Sequence, residues 1–337
     1  MPGEPLGVAL IGAGRMGTVH IDSLADSASV SVVVVADASP AALDAVRERH
    51  PGADTCDSVD VALEHPAVEA CLVATSTPSH PDIVRRAVGA GLHILCEKPL
   101  ALDPREARAL GELADEAGVV LQVGFWRRFS PPWKKAREAI EAGTIGRPLL
   151  VRLSQWDADP PPPDFCDPSV SGGLAIDCGV HEFDLAEWLT GSTVTEISAW
   201  TLPTVDQGVA AAGDIDNLVA VLKLDDGAAA TVDLSRNCRY GDDVRTEVLG
   251  SAGALFIDLL PTGRTRVATS DGVSVLAGSE VDDATVAGVI GQAEALAAAV
   301  RNGGLELPGA EASARATEIA MMVNEATRSG EAIRLGH

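Results

Sequence analysis

From Leu6 to about Val123 the chain alternates short apolar, β-branched runs with stretches whose apolar residues recur at helical spacing. Leu6–Ile11, Val30–Ala36, Ala70–Ala74, Leu92–Cys96 and Val119–Val123 predict strands. The segments Met16–Ala25, Pro40–Arg49, Pro81–Ala90 and Pro104–Ala117 between them predict helices. Three of those helices open on proline, whose missing N–H costs nothing in a first turn. Such alternation is the pattern of βαβ units feeding a parallel sheet, so the first half is expected to be a doubly wound α/β domain.

After Gly124 the pattern changes. A helix near Pro132–Ala142 and a strand over Leu149–Gln155 precede the prolines Pro160 to Pro163, which predict a loop because proline cannot join a central strand. A helix over Asp177–Leu189 follows. Val194–Leu202, Asn217–Leu224, Ala228–Arg236, Arg245–Gly250 and Ala254–Leu259 then read as strands, with Asp225-Asp226-Gly227 as a tight turn between two of them. Strands joined by short turns favour an antiparallel or mixed sheet, so the second domain is expected to be α+β. Two helices, Ala284–Arg301 and Ala310–Ser329, close the chain.

A length of 337 residues suits two domains, and 46% hydrophobic with only 3% aromatic residues predicts interiors of Ala, Val, Leu and Ile. The 25 basic against 49 acidic residues give a net charge of −24, which repels nucleic acid and anionic membrane surfaces. The six cysteines show no C-x-x-C pair and read as reduced. No basic n-region opens the chain and no apolar stretch reaches the roughly 18 residues of a membrane span, so a soluble, cytoplasmic protein is expected.

The sequence Gly12-Ala13-Gly14-Arg15-Met16-Gly17 follows the first strand and opens the first helix. In that context a G-x-G-x-x-G run reads as a dinucleotide-binding turn, in which Gly12 turns the chain, Gly14 admits a pyrophosphate, and Gly17 lets helix and strand pack closely; the alternative is a glycine-rich turn with no ligand. Asp37 ends the second strand, where a carboxylate can bond ribose hydroxyls; otherwise it caps the next helix. Ala38, Ser39 and Pro40 follow it with no cation to neutralise a 2′-phosphate, so the expected cofactor is NAD. The stretch Thr75, Ser76, Thr77, Pro78, Ser79 and His80 lies at the carboxyl edge of the sheet and either lines the cofactor or merely enters a helix.

Lys98, fixed by Pro99 at the end of another strand, can stabilise charge on a hydroxyl oxygen during proton removal, or stand as a solvated lysine. Asp177, His181 and Asp184 are spaced i, i+4 and i+7. Imidazole suits proton transfer near neutrality and a carboxylate orients it, so His181 is the candidate base and Asp177 its partner. The alternatives are a histidine satisfied in a helix interface or a metal site built from those three residues.

Together, Gly12–Gly17, Asp37, Thr77-Pro78-Ser79-His80, Glu97-Lys98-Pro99, Gly124-Phe125-Trp126-Arg127-Arg128-Phe129, Asp177…His181…Asp184 and Tyr240 through Gly250 resemble the glucose–fructose oxidoreductase/inositol dehydrogenase/MocA family, over nearly the whole chain. The resemblance implies an N-terminal Rossmann domain (1–123) and a C-terminal substrate-binding and oligomerisation domain (124–337) with a large open, mostly antiparallel sheet. It implies a Lys98, Asp177 and His181 trio, with Lys98–Pro99 often cis. Cofactor contacts would also come from Glu97, Lys98, Gln122, Trp126 and Arg127. Substrate contacts would come from Lys98, Trp126, Arg127, Gln155, Asp157, Asp177, Cys178, His181, Asp184 and Tyr240, with no metal. The implied activity is NAD-linked oxidation of a cyclic polyol by a homotetramer or homodimer. A pyranose or anhydrosugar dehydrogenase and a non-catalytic NAD sensor are the alternatives.

Overall fold

The computed structural model describes residues 4–158, 160–258, 264–277 and 284–335. The chain divides into two compact units: Met1–Trp126 with Thr285–Ala314, and Arg127–Ala284 with Arg315–His337.

The first unit is built on six strands, β1 (Leu6–Ile11), β2 (Val30–Ala36), β3 (Asp54–Cys56), β4 (Ala70–Val73), β5 (His93–Cys96) and β6 (Leu121–Val123), in the order β3-β2-β1-β4-β5-β6. Every pairing is parallel. All six β1 residues are buried, as expected of a strand covered on both faces. Strand order reverses between β1 and β4, and ligands of such sheets bind outside the carboxyl ends at that reversal.

The connecting helices are α1 (Arg15–Leu24), α2 (Pro40–Arg49), α3 (Val59–Leu63), α4 (His80–Gly89) and α5 (Pro104–Ala117). Local rules set their ends. Helix α5 starts where the Asp103 carboxylate accepts from the Arg105 N–H and Pro104 takes the first position; it stops at Gly118, in the left-handed conformation. Strand β3 and helix α3 were not anticipated, because a three-residue strand with none of its residues buried and a five-residue helix leave little apolar periodicity.

A single cut after Val123 does not describe the two units. Ala293, Leu296 and Ala297 of the late helix Ala284–Asn302 belong to the same buried cluster as Leu6, Val8, Leu10 and Leu72. The helix returns to the first sheet because that apolar stripe has its partner there.

The second unit carries β7 (Pro148–Trp156), β8 (Val194–Thr201), β9 (Asn217–Leu224), β10 (Ala229–Ser235), β11 (Asp243–Gly250), β12 (Gly253–Asp258), β13 (Arg264–Thr269), β14 (Gly272–Ala277) and β15 (Ile333–Arg334). Their order is β14-β13-β12-β11-β7-β10-β9-β8-β15. Strands β7 and β10 pair in parallel and the other pairs are antiparallel. Along β9, Leu218, Ala220, Leu222 and Leu224 are buried while Val221 is exposed, the alternation of a sheet covered on one face. Gly227 turns β9 into β10 with a positive φ of 87°. Strands β13 to β15 had not been foreseen, and the expected end of a strand at Leu259 lies outside the described residues.

The helices of this unit include α6 (Pro131–Glu141), α7 (Pro163–Cys166), α8 (Pro168–Ser171), α9 (Leu174–Asp177), α10 (Gly179–Thr190) and α11 (Gln207–Ala211). The proline run thus leads into two four-residue helices rather than only a loop. The single helix expected over Asp177–Leu189 is interrupted at Cys178, between α9 and α10. No helix among the described residues is long and apolar enough to cross a membrane.

Candidate active site

In the first unit the three glycines of the turn after β1 have different reasons to be glycine. Gly12 has a φ of +97°, and a Cβ there would lie 2.7 Å from the Ala74 carbonyl oxygen. A Cβ on Gly17 would lie 1.9 Å from the Gly12 oxygen, so only glycine lets α1 approach β1. At Gly14 a Cβ would meet no protein atom within 4 Å. The protein itself demands glycine at 12 and 17, whereas the open space beside Gly14 suits a bound group. Gly14 starts α1 with no side-chain cap, which leaves the helix N-terminus suited to a pyrophosphate. Ala13, Arg15 and Met16 complete the turn, with Arg15 exposed.

Asp37 stands beside that turn. Its carboxylate accepts from the Ala13 N–H at 2.7 Å and the Ser39 N–H at 2.7 Å. The cap of α2 is Ser39, which accepts from the Ala42 N–H, so Asp37 is not the helix cap. Ala38 is exposed next to it. Gly12–Gly17 and Asp37, expected to hold a dinucleotide's phosphates and ribose, thus lie together in the first unit.

At the end of β4, Thr75, Ser76, Thr77 and Pro78 run along the carboxyl edge, with Ser76 and Pro78 exposed and Thr77 nearly buried. His80, expected at the cofactor, is buried: its Nδ1 lies 2.9 Å from the Pro99 oxygen and its Nε2 3.1 Å from the Thr75 oxygen. Burial lowers its pKa, more than the two carbonyls restore it. The ring ties the β4 edge to the turn that carries Lys98. That turn holds a cis Lys98–Pro99 bond. Glu97 before it is buried, with Oε1 2.7 Å from His20 Nε2 and Oε2 accepting from the Lys98 N–H at 3.3 Å. Burial would raise the Glu97 pKa, but His20 and Lys98 hold it below the ordinary range. Sequence reasoning missed His20, whose one signal is its place on the buried face of α1 with Gly17, Ile21 and Leu24. Gln122, also expected at the cofactor, is fully buried and donates to the Gln292 carbonyl at 3.0 Å. Trp126 is 8% exposed.

In the second unit His181 is 6% exposed in the first turn of α10, and Asp177 ends α9. Asp184 does not join them: its carboxylate accepts from Arg128 Nε at 2.8 Å and Nη2 at 2.5 Å. Burial raises the Asp184 pKa and Arg128 only partly opposes this. Arg127 is likewise committed. Its Nη1 lies 2.5 Å from both Glu182 oxygens, and its Nη2 donates to Gln155 Oε1 at 2.8 Å. Of the residues expected at the substrate, Arg127 and Asp184 are thus buried and paired, and Gln155 beside Arg127 is half-buried. Gln155 passes the network on to Asp157 Oδ1 at 3.1 Å, and Cys178 Sγ lies 3.3 Å from Asp157 Oδ2. Tyr240 is 71% exposed, with its hydroxyl donating to Asp243 at 2.7 Å. Asp177 Oδ2 accepts from Arg236 Nη2 at 3.0 Å. Glu182 and Arg236 carried no sequence signal beyond their charge. Among the described residues no group of three His, Cys, Asp or Glu could hold a metal ion.

Residues 6–125 match the model of the oxidoreductase family with an NAD-binding Rossmann fold, and residues 133–256 match the GFO/IDH/MocA C-terminal domain. The chain is 37% identical over 251 residues to a myo-inositol 2-dehydrogenase of Thermotoga maritima, covering 74% of this chain and 75% of that one. It is 39% identical over 246 residues to the rhizopine catabolism protein MocA of Rhizobium meliloti, covering 73% and 76%. The solved myo-inositol dehydrogenase of Corynebacterium glutamicum is 28% identical, with a TM-score of 0.85 over 99% of both chains. A protein of gentamicin A biosynthesis solved with NAD is 26% identical, with a TM-score of 0.87 over 100% of this chain and 98% of that one. The NAD turn, the two-unit fold and these likenesses agree: the chain belongs to the GFO/IDH/MocA family of NAD-binding oxidoreductases.

Proposed function

We propose that the chain oxidises one secondary hydroxyl of an inositol-like cyclic polyol to the ketone. The observation that carries this reading is in the second unit, where the Asp157 and Asp177 carboxylates stand beside Cys178, at the start of α10, as hydrogen-bond acceptors. Carboxylates have lone pairs to spare for the hydroxyls of a neutral polyol. Relatives named as inositol 2-dehydrogenases support the substrate class.

When bound, NAD supplies the hydride acceptor. Gly12–Gly17 and Asp37 hold its phosphates and ribose. His181 takes the hydroxyl proton on its ring, Asp177 orients and stabilises the imidazolium, and Lys98 Nζ stabilises charge on the oxygen. The exposed face of the nine-stranded sheet, with Leu149, Val221 and Leu249, joins copies of the chain into a dimer or tetramer.

A panel of inositols, pyranoses and anhydrosugars assayed for NADH formation tests the substrate. An inositol is expected to give the highest kcat/KM. A pyranose in that place would overturn the polyol assignment, and NAD binding without turnover of any member would overturn the enzymatic one. Replacing Asp37 by Ala removes a charged acceptor worth about 1.5–3 kcal/mol, so NAD affinity should fall roughly 10- to 100-fold. Fluorescence titration with NADH measures it; unchanged affinity would remove Asp37 from the cofactor site.

A further inference from the structure

A charged clamp in the second unit has no assigned part in the reaction. Helix α9 is a single turn, Leu174–Asp177, too short to hold its own orientation by intrahelical bonds. It is gripped at both ends. At its start the Leu174 N–H donates to Asp214 Oδ1 at 3.2 Å. At its end Asp177 Oδ2 accepts from Arg236 Nη2 at 3.0 Å. The two grips are joined, because Arg236 Nη1 donates to Asp214 Oδ2 at 2.7 Å.

The clamp is buried where it matters. The Arg236 side chain is 0% exposed and that of Asp214 is 5%, while Asp177 at 18% is the member that reaches toward solvent. A guanidinium out of water is tolerated only when paired. Burial works against its charge, and Cys178, Asp177 and Asp214 more than restore it. The backbone is shaped around the clamp too. Gly173 has a φ of +76°, and a Cβ there would lie 2.8 Å from Asp214 Oδ1. Asp214 follows α11, and Arg236 directly follows β10, where its N–H donates to the Asp216 carbonyl at 2.9 Å. The sheet therefore sets the direction in which the guanidinium points.

We infer that Arg236, anchored by Asp214, is a positioning residue that holds the Asp177 carboxylate in its working orientation for the reaction. The inference rests on the proposed role of Asp177. The fork geometry is essential, since two donors on one rigid plane span two carboxylates, and a lysine ammonium reaches such a pair as a single point.

The test is a mutant cycle of Arg236→Lys with Asp177→Asn, measured on the full chain with the best polyol of the panel. R236K is expected to fold, by far-UV circular dichroism, to bind NADH as the native chain does, and to lose kcat by about 10- to 100-fold, the scale of a misplaced catalytic group. D177N is expected to lose at least as much, and the double variant no more than D177N alone, because both changes act through one carboxylate. A merely structural role for Arg236 would not produce that non-additivity. Native kcat and KM in folded R236K, or losses that multiply in the double variant, would overturn the clamp and leave the proposed reaction standing. Native turnover in D177N would overturn both. Should lysine not be tolerated at this buried position, Asp214→Asn decides the question. It keeps the shape of the anchor and removes its charge, and is expected to lower kcat without weakening NADH binding; native kcat in D214N would overturn the clamp.

Discussion

Replacement of His181 by Ala is expected to lower kcat by about 10²–10⁴-fold, the usual contribution of a positioned general base. The imidazole is 6% exposed and sits in the first turn of α10, directly after the break at Cys178. Removing it takes away the proposed proton acceptor while leaving every group proposed to hold the dinucleotide, since Gly12–Gly17 and Asp37 lie in the first unit. NADH affinity should therefore stay at its native value while turnover collapses. Steady-state rates across pH, beside a fluorescence titration with NADH, measure the two separately. Native turnover in H181A would remove His181 as the base, and lost NADH binding would show that the side chain serves the fold instead.

The largest effect on stability is expected from Arg127→Met. Both members of the Arg127–Glu182 pair are buried, with the side chains 4% and 0% exposed. Removing one partner of such a pair costs about 3–5 kcal/mol, because the other charge is left without compensation. Burial already pushes the Glu182 carboxyl above its ordinary range, and Arg127 only partly offsets this. In the variant that opposition disappears and the carboxyl takes up a proton on folding. A folded pKa raised above the unfolded value means that the folded state binds more protons, so stability falls as pH rises between the two values. The loss in R127M should thus be larger at pH 8 than near pH 5, measured as midpoints of urea unfolding. The double variant R127M/E182L should recover much of it, since an apolar pair of similar volume needs no counter-charge. An R127M midpoint equal to the native one at pH 8 would show that the pair contributes nothing.

The two predictions draw on parts of the molecule that were unequally legible in the sequence. The Gly12–Gly17 turn could be read directly because its constraints are local: a strand end, a tight turn and a helix start within seven residues. Helix α2 likewise matched its predicted bounds, with proline in its first turn and Ser39 as the cap. His181 and Lys98 were singled out as candidates by residue type and by their place at element ends. Arg127, Gln155 and Asp184, expected at the substrate, also have partners within the protein that the local sequence does not reveal. Their sequence neighbourhood is the same whether the charge faces a ligand or a buried partner, and the partners lie 55, 28 and 56 residues away from the arginines that hold them.

By itself, then, the sequence determined the alternation of elements, the parallel sheet of the first unit, the NAD turn and the residue types fit for proton transfer, because periodicity and turn chemistry act over a few residues. Tertiary structure alone decided that the helix Ala284–Asn302 completes the first core, that His80 and Gln122 point inward, and that Asp177 answers to Arg236 and Asp214. Burial and charge pairing are properties of what surrounds a side chain in space. Those surroundings come from strands far apart in the chain, so no local pattern records them.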